Sequence, residues 1–580
     1  MNAFERFFSE QLAAALSQLD PEGNWSPGAV LALIETPPQP DWGDYAFPCF
    51  TLAKRLRKGP PRIAQDLAQA LQGRLAQDWE SVRAVGPYLN LTLKGPALAR
   101  NVLPAVFSGE TFREPSRNLR ERVMIEFSQP NTHKGFHVGH LRNVALGDAL
   151  VRIYRYNGYD VVGANYIGDV GTHIAKCLWH YRYTGQAPPD SGRGEWLGAL
   201  YTEATLRLED AAPEDAAGFQ KEIGSVLSQL EAGDPEVTAL WEETRRWSMD
   251  EFDEIYRWLD VHFDRVFCES EVDEEGKRLV LEGEREGHFV RSEGAIGIDL
   301  EEEGLGFFLL LKSDGNTLYS TKDLALAKRK FEEFGVERSI YVVGMEQTLH
   351  FKQVFATLEH MGYSQAQKCY HLPYALVMLP SGKMSSRAGN VILFSQLREQ
   401  MLRFLKEGHL QERQREWSVE EVDETAKRMA IAAIKYGMLS QDPNKQIIFS
   451  LEEWLRAEGD TGVYLTYAYV RIRSIVRQVG EPSSSVDFEL LEHPNEKLLL
   501  RHLLDFNQVV WNAGEQFKPS LLAHALFEMA KDFSRAYNTC PVKHAETPDL
   551  REARLLLFHC VAEALRQGLT LLGITPPERM

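Results

Sequence analysis

The most constraining stretch of this chain runs from residue 122 to residue 181, where strand, helix, strand and helix follow one another through tight turns. "RVMIEFS" reads as a short buried strand. "HLRNVALGDALVRIYRYNGY" places Leu141, Val144, Ala145, Ala149, Ile153 and Tyr154 at helical spacing, and Asn157-Gly158 stop it. "DVVGANYIGD" returns to a strand and "THIAKCLWHY" to a helix. This alternation predicts a doubly wound parallel sheet, because each helix must carry the chain back to start the next parallel strand. In such sheets ligands bind beyond the carboxyl ends of the strands, and phosphate is favoured where N–H groups open a helix. The turn after the first strand is the first place to look for chemistry. It reads "NTHKGFHVGH", with His133, His137 and His140 within eight positions.

The rest of the chain is organised around that segment. At roughly 150 residues per domain, 580 residues predict three or four units. Residues 1–115 read as a self-contained α+β unit: "MNAFERFFSEQLAAALSQL" as an amphipathic helix, "RIAQDLAQALQGRLA" as a helix and "GPYLNLTL" as an alternating strand. "EPSRNLRER" is the expected linker to a catalytic domain over 116–395. From about 183 to 245 Pro, Gly, Asp and Glu flank short helices, which reads as an insertion. The sheet pattern returns with "GFFLLLKSDGNTLYSTKDLALAKRKF", "RSIYVVG" and "HLPYALVML". Over 396–580 no strand is expected. "LLRHLLDFNQVVWNAGEQF" and "REARLLLFHCVAEALRQGLTLLG" carry apolar stripes at helical spacing and predict a helical bundle.

Composition excludes several classes. No window approaches the ~20 continuous apolar residues of a membrane span, and the N-terminus lacks the features of a signal peptide. The six cysteines (Cys49, Cys177, Cys268, Cys369, Cys540, Cys560) are scattered without Cys-x-x-Cys spacing. That argues against a zinc ribbon and a disulfide framework and fits a reducing cytoplasm. The net charge of −19 argues only weakly against nucleic acid, because binding depends on local patches. Basic clusters exist: Lys54, Arg55, Arg57, Lys58 and Arg62 in "AKRLRKGPPR", and Arg471, Arg473 and Arg477 in "YVRIRSIVR". On charge alone these are equally well solvated helix faces.

Two motifs carry chemistry. In His137-Val138-Gly139-His140 the glycine lets backbone or ligand approach, and the histidines can donate hydrogen bonds to phosphate oxygens. A metal site would want further ligands at fixed spacing, and neither His-Glu-x-x-His nor a cysteine pair is present. Histidines that merely cap or pack are the competing reading. The second motif, "PSGKMSSRAGN" at 380–390, is a loop carrying Lys383, Ser385, Ser386 and Arg387, suited to closing on a polyphosphate. It is not a Walker P-loop, since Met384 follows Gly382-Lys383 and Val377 stands where the first glycine would be.

In this order and about 240 residues apart, the motifs resemble the "HIGH" and "KMSKS" signatures of class I aminoacyl-tRNA synthetases. "EFSQPNTHKGFHVGHLRN", "NYIGDVGTHI", "LYSTKDLALA", "YVVGMEQTLHF", "KMSSRAGNV", "GDTGVYLTYAYVRIRS", "CPVKHAETPDLREARLLL" and the terminal "PERM" narrow the resemblance to the arginyl-tRNA synthetase family. It covers most of the chain and implies a Rossmann-like catalytic domain, an N-terminal tRNA-contacting domain and a C-terminal all-α anticodon-binding bundle.

The implied substrates are ATP with Mg2+ held mainly by phosphate and water, L-arginine and an arginine-accepting tRNA. No zinc, no membrane association and a monomer are expected. The arginine carboxylate attacks the α-phosphorus of ATP, and the 2′-hydroxyl of the terminal adenosine then takes the arginyl group. By the resemblance, His137, Gly139 and His140, with Lys134 upstream, contact ATP, and Lys383, Met384, Ser385 and Ser386 meet its phosphates. His137, His140 and Lys383 are the catalytic set. A guanidinium, planar and always charged, calls for carboxylates. Glu126, Glu269 and Asp323 are the expected partners, Tyr319 shares a pocket one helical turn from Asp323, and Asn131 and Gln347 hold the amino and carboxylate groups. Tyr464, Tyr467, Arg471 and Arg473 are expected to meet the anticodon, with Tyr537 and Met580 as further candidates; core packing is the competing reading for the tyrosines. Arg55 and Arg57, chosen by charge, would meet the tRNA elbow.

Some positions depart from the family pattern. Gln129 replaces a serine, His173 a glutamine and Thr132-His133 an apolar-small pair, so His133 is expected to be a local variation. The second lysine of the general signature is absent, with Arg387 one position later. The alternatives are another class I synthetase, which for cysteine would predict zinc-ligand cysteines, a small HxGH nucleotidyltransferase, or an inactive tRNA-binding paralogue.

Overall fold

The structure is a computed structural model in which residues 3–37, 39–73, 77–113, 119–380, 382–383 and 391–580 are described. The chain divides into two compact units, one of residues 1–114, 471–507 and 528–565, the other of 115–470, 508–527 and 566–580.

In the first unit the helix Ala3–Leu19 buries Phe4, Phe8, Leu12 and Leu16 along one stripe. Strands Tyr45–Pro48, Tyr88–Leu93 and Trp79–Val85 form an antiparallel sheet in that order, and the helix Pro60–Gln72 buries Ile63, Leu67 and Leu71. Later chain returns to this sheet: Lys497 reaches Asp44 at 3.1 Å, and the Arg501 guanidinium stands 4.3 Å from the centre of the Tyr45 ring. The expected linker "EPSRNLRER" falls partly outside the described residues.

The second unit is built on the expected parallel sheet. Its strands are β1 (Arg122–Glu126), β2 (Asp160–Ile167), β3 (Arg265–Cys268), β4 (Arg338–Gly344) and β5 (Cys369–Tyr374), in the spatial order β5-β4-β1-β2-β3. All four pairings are parallel. The strand order reverses around β1, which puts the ligand crevice at the carboxyl ends of β1, β2 and β4. The helix Val138–Tyr156 crosses from β1 to β2. Its Gly147 lies so close to the sheet that a Cβ there would stand 2.1 Å from Phe127 Cγ.

Three sequence expectations need correction. "GFFLLL" (Gly306–Leu311) does not join the parallel sheet. It pairs antiparallel with Ala295–Leu300, which pairs with Val290–Ser292. The apolar run resembled a strand buried on both faces, yet Phe307 and Leu309 are 46% and 37% exposed while Phe308 and Leu310 are buried. The vacant sheet position is taken by the four-residue β3, too short to be read from pattern. The insertion does not consist of short helices: Arg193–Asp210, Pro213–Glu231 and Pro235–Trp258 are 18, 19 and 24 residues long, and Pro213 and Pro235 mark the first turns of the latter two. Beyond residue 396 a two-residue strand, Ile447–Ile448, runs parallel to Val377–Leu379. Residues 396–470 accordingly cluster with the sheet.

Candidate active site

The turn after β1 is held from several sides. Asn131 bridges to Gly168 at the end of β2, the Thr132 N–H donates to the Gly168 carbonyl at 2.9 Å, and the Gly168 N–H donates to the Pro130 carbonyl at 3.1 Å. A Cβ at Gly168 would meet Asn131 Oδ1 at 2.3 Å, so glycine is what lets the two chains close up. His133 is buried in the left-handed region at φ 63°. Its ring nitrogens bond the hydroxyls of Thr132 (3.0 Å) and Thr244 (2.8 Å), and its N–H donates to Ser248 Oγ at 3.0 Å. It thereby pins the turn to the helix Pro235–Trp258. Burial pushes its pKa down to about 3, keeping the ring neutral. From the helix Arg193–Asp210, Gly198 presses on the same turn: a Cβ there would lie 2.5 Å from the Gly135 nitrogen.

His137 caps the helix Val138–Tyr156. Its Nδ1 accepts the Gly139 N–H at 3.1 Å, and His140 Nδ1 accepts the His137 N–H at 3.1 Å. Both Nδ1 atoms being acceptors, the proton of each neutral ring resides on Nε2. Burial pushes His137 down to about 4; burial and the neighbouring His137 hold His140 well below its ordinary value. The capping and phosphate-binding readings are thus compatible: the caps fix two Nε2–H donors at a helix N-terminus. The second motif is tied to the first through the chain that follows it. The Val138 N–H donates to the Ile392 carbonyl at 3.0 Å and the Phe394 N–H to the Phe136 carbonyl at 2.9 Å. Lys383 pairs through its backbone with Met378. Its side chain, with Met384, Ser385, Ser386 and Arg387, lies outside the described residues.

A cavity of about 440 Å³ opens at these strand ends. Glu126, Asn131, Glu269, Tyr319, Asp323, Gln347 and His140 all line it. Three of its acids are already engaged. Glu126 forms an ion pair with Lys330, both buried. Glu269 Oε2 lies 2.8 Å from Lys322 Nζ, and Asp323 Oδ2 lies 2.6 Å from His350 Nε2. Burial pushes Glu269 up to about 7, against the pull of Lys322. Glu346 also lines the cavity, so four carboxyl groups face the ammonium groups of Lys322 and Lys330, an acidic excess that suits a guanidinium. Tyr166 also lines the cavity; its buried hydroxyl has no hydrogen-bond partner. Burial, then Asp323, Glu269 and Glu126, hold its pKa well above the ordinary value. It remains a protonated phenol whose oxygen can accept from a cation.

Sequence reasoning missed Lys322, Lys330, Tyr166, His350 and Asn143. Asn143 Nδ2 donates to Gln129 Oε1 (2.7 Å) and the Val342 carbonyl (3.0 Å), while its Oδ1 accepts the Ser128 N–H (2.7 Å). Gln129 in turn donates to Glu126 Oε1 at 3.2 Å, so this departure from the family pattern lies in the cavity wall. Only for Lys330 was a signal available: seven residues after Asp323, it sits two turns along the same helical face.

Other candidates lie elsewhere. Lys134 Nζ stands 5.3 Å from the Tyr201 ring centre and lines a neighbouring cavity instead. Arg55 pairs with the largely buried Asp20 at 2.5 Å, and Arg57 is exposed at the end of its helix with φ 50°. The helix Gly462–Val479 carries Tyr464, Tyr467, Arg471 and Arg473. Tyr467 is exposed, whereas Tyr464 is half-buried with its ring 5.8 Å from that of Phe527. The Arg471 guanidinium lies 3.8 Å from the Tyr537 ring centre. Met580 is half-buried. Among the described residues no group of three or more His, Cys, Asp and Glu is placed to hold a metal ion, and no helix is long and apolar enough to cross a membrane.

A parallel sheet with a capped histidine pair at its switch point, bonded to the chain that follows the second signature, defines a class I aminoacyl-tRNA synthetase. Comparison with known proteins agrees. Residues 103–451 match the family model "tRNA synthetases class I (R), catalytic domain", residues 465–580 the "DALR anticodon binding domain" and residues 6–93 the "Arginyl tRNA synthetase N terminal domain". The chain is 42% identical over 573 residues to an arginine--tRNA ligase of Bdellovibrio bacteriovorus, covering 98% of each. To one of Clostridium beijerinckii it is 34% identical over 554 residues, covering 95% of this chain and 96% of that one. The solved Thermus thermophilus arginyl-tRNA synthetase superposes with a TM-score of 0.80 at 30% identity, covering 99% of this chain and all of the other. The chain belongs to the arginyl-tRNA synthetase family.

Proposed function

We infer that this chain ligates L-arginine to its cognate tRNA through arginyl-adenylate, releasing pyrophosphate and then AMP. The observation that supports this most directly is the cavity in which carboxyl groups outnumber ammonium groups, placed beside two neutral Nε2–H donors. Such a site receives a side-chain cation on one side and phosphate on the other.

In the first step an arginine carboxylate oxygen bonds to the α-phosphorus and the bond to the β-phosphate breaks. No covalent enzyme intermediate is needed, so the residues act by positioning and charge stabilisation. Glu126, Glu269, Asp323 and Tyr319 orient the guanidinium, with the Tyr166 hydroxyl as a further acceptor. Asn131 and Gln347 take the amino and carboxylate groups. His137 and His140, beside Gly139, donate to the phosphates. Lys383, with Met384, Ser385 and Ser386, stabilises departing pyrophosphate, and Mg2+ enters on ATP. In the second step the ribose hydroxyl bonds to the arginyl carbonyl carbon and AMP leaves with the electron pair of the cleaved bond. The exposed Tyr467, with Tyr464, Arg471, Arg473, Tyr537 and Met580, is the proposed anticodon surface, and Arg57 with Arg55 the elbow contact.

ATP–pyrophosphate exchange with each amino acid, with and without tRNA, tests the reading. Exchange with arginine alone, dependent on tRNA, is expected; exchange with another amino acid overturns it.

A further inference from the structure

A chain of side-chain amides runs from the histidine helix to Glu126, and its direction is fixed. Ser128, just beyond β1, is buried in the left-handed region at φ 61°. An L residue keeps that conformation only where its surroundings hold it. Asn143, on the helix Val138–Tyr156, holds it from one side: its Oδ1 accepts the Ser128 N–H at 2.7 Å. From the other side the Ser128 hydroxyl bonds the Tyr256 hydroxyl at 2.8 Å. A backbone N–H can only donate, so the oxygen of the Asn143 amide is assigned and its nitrogen points away from Ser128. That nitrogen meets Gln129 Oε1 at 2.7 Å, the Val342 carbonyl at 3.0 Å and the Tyr374 hydroxyl at 3.2 Å. With Oε1 as its accepting end, Gln129 turns its nitrogen to Glu126 Oε1 at 3.2 Å, and the Val342 carbonyl lies 3.4 Å from the same nitrogen. Lys330 takes the other carboxylate oxygen, Oε2.

Glu126 is thus gripped at both oxygens by partners of different kinds. Lys330 supplies charge but little direction, because an ammonium group is a point charge with three rotatable donors. The Gln129 amide is planar and anchored at its far end, so it supplies direction. Glu126, Gln129 and Asn143 all line the first cavity, and each carboxylate oxygen keeps a lone pair for what enters there. We propose that Gln129 is a positioning residue for amino-acid recognition. It passes the fixed geometry of the Ser128–Asn143 contact on to Glu126 and so sets that carboxylate for the cationic group of the substrate. The proposal rests on the function inferred above. It adds that one helix serves both substrates: its first turn fixes His137 and His140, and Asn143 in its second aims the amino-acid pocket.

The test is steady-state charging of tRNA by the full chain, with KM read for arginine and for ATP. Gln129→Met keeps the length of the side chain and removes both ends of the relay. KM for arginine should rise roughly tenfold, the scale of one hydrogen bond to a charged group, while KM for ATP stays near its wild-type value. Gln129→Glu keeps the shape but sets an acceptor against Glu126 Oε1. Its KM for arginine should rise further than that of Gln129→Met, although it adds a carboxylate to the cavity. Asn143→Leu removes the anchor. Combined with Gln129→Met, it should add little to the arginine KM of the worse single variant, because both break one relay. An arginine KM unchanged in Gln129→Met overturns the proposal. So does an equal rise for both substrates, which would make Gln129 part of the general packing of the turn. Tighter arginine binding by Gln129→Glu overturns it too, since the number of carboxylates rather than their setting would then govern recognition. Losses that multiply in the double variant overturn the relay. If Asn143→Leu does not fold, the two Gln129 variants decide the matter alone. Failure of wild type to charge tRNA with arginine would overturn the function itself, a result read independently of the variants.

Discussion

The two adjoining cavities solve opposite electrostatic problems. The cavity proposed for arginine sets the buried Glu126 and Glu269 against buried lysines and keeps an acidic excess. The neighbouring cavity, which shares Glu269 and Tyr319 with it, is lined by Lys134, Lys176, Lys312 and Lys322 against Glu209 and Glu269, and Lys176 and Lys312 make no ion pair among the described residues. A small cation that must be enclosed calls for charges whose desolvation is compensated before it arrives. Lysines that water still serves need no such compensation. The Glu269–Lys322 pair stands on the boundary between them.

The difference is sharpest in stability. Replacing Lys330 with Met leaves Glu126 buried without its counter-charge. The loss should be about 3–5 kcal/mol in denaturant unfolding, whereas Lys312→Met should change stability by less than about 0.5 kcal/mol. Equal effects would erase the distinction between the cavities. Next in size, Asp323→Ala removes a proposed guanidinium partner. It should lower kcat/KM for arginine by about 10²–10³-fold, roughly 3–4 kcal/mol, with little change in KM for ATP. A comparable fall for ATP would place Asp323 outside the amino-acid pocket.

The smallest effect is a pH dependence at the boundary. Burial raises the Glu269 pKa from 4.5 to about 7. As pH falls through 7 the carboxyl takes a proton, the first cavity loses one negative charge, and KM for arginine should rise. Stability moves the other way. A raised acid pKa means that the folded state holds the proton more tightly than the unfolded one. This group's contribution is therefore full below pH 4.5 and lost as pH rises through 7. Glu269→Gln should flatten both profiles near pH 7; an unaltered KM profile would assign the titration elsewhere.

The sheet and its ligand-binding end were legible because they are written locally: apolar runs, helical spacing and glycine turns lie within one stretch of some sixty residues. The acids of the pocket were also legible, through their resemblance to a family. Their neutralisation was not. Lys330 meets Glu126 across 204 residues and Lys322 meets Glu269 across 53, pairings that only the tertiary fold creates. The strand Gly306–Leu311 failed for a related reason. An unbroken apolar run does not say which face will be covered, and here alternate side chains face outward. His133 was read as a mere local variation, because a buried imidazole bridging Thr132 and Thr244 cannot be told from a stray one without its neighbours.

The close approach of Gly198 to Gly135 changes what the inserted segment is. A helix set within van der Waals reach of the nucleotide turn, and latched to it by His133 through the following helices, is not an appendage that drifted into a loop. It is the back plate of the turn. A version of this protein trimmed of the insertion would lose the surface against which the HVGH turn is moulded. A transplant of that turn into another scaffold should carry residues 193–258 with it.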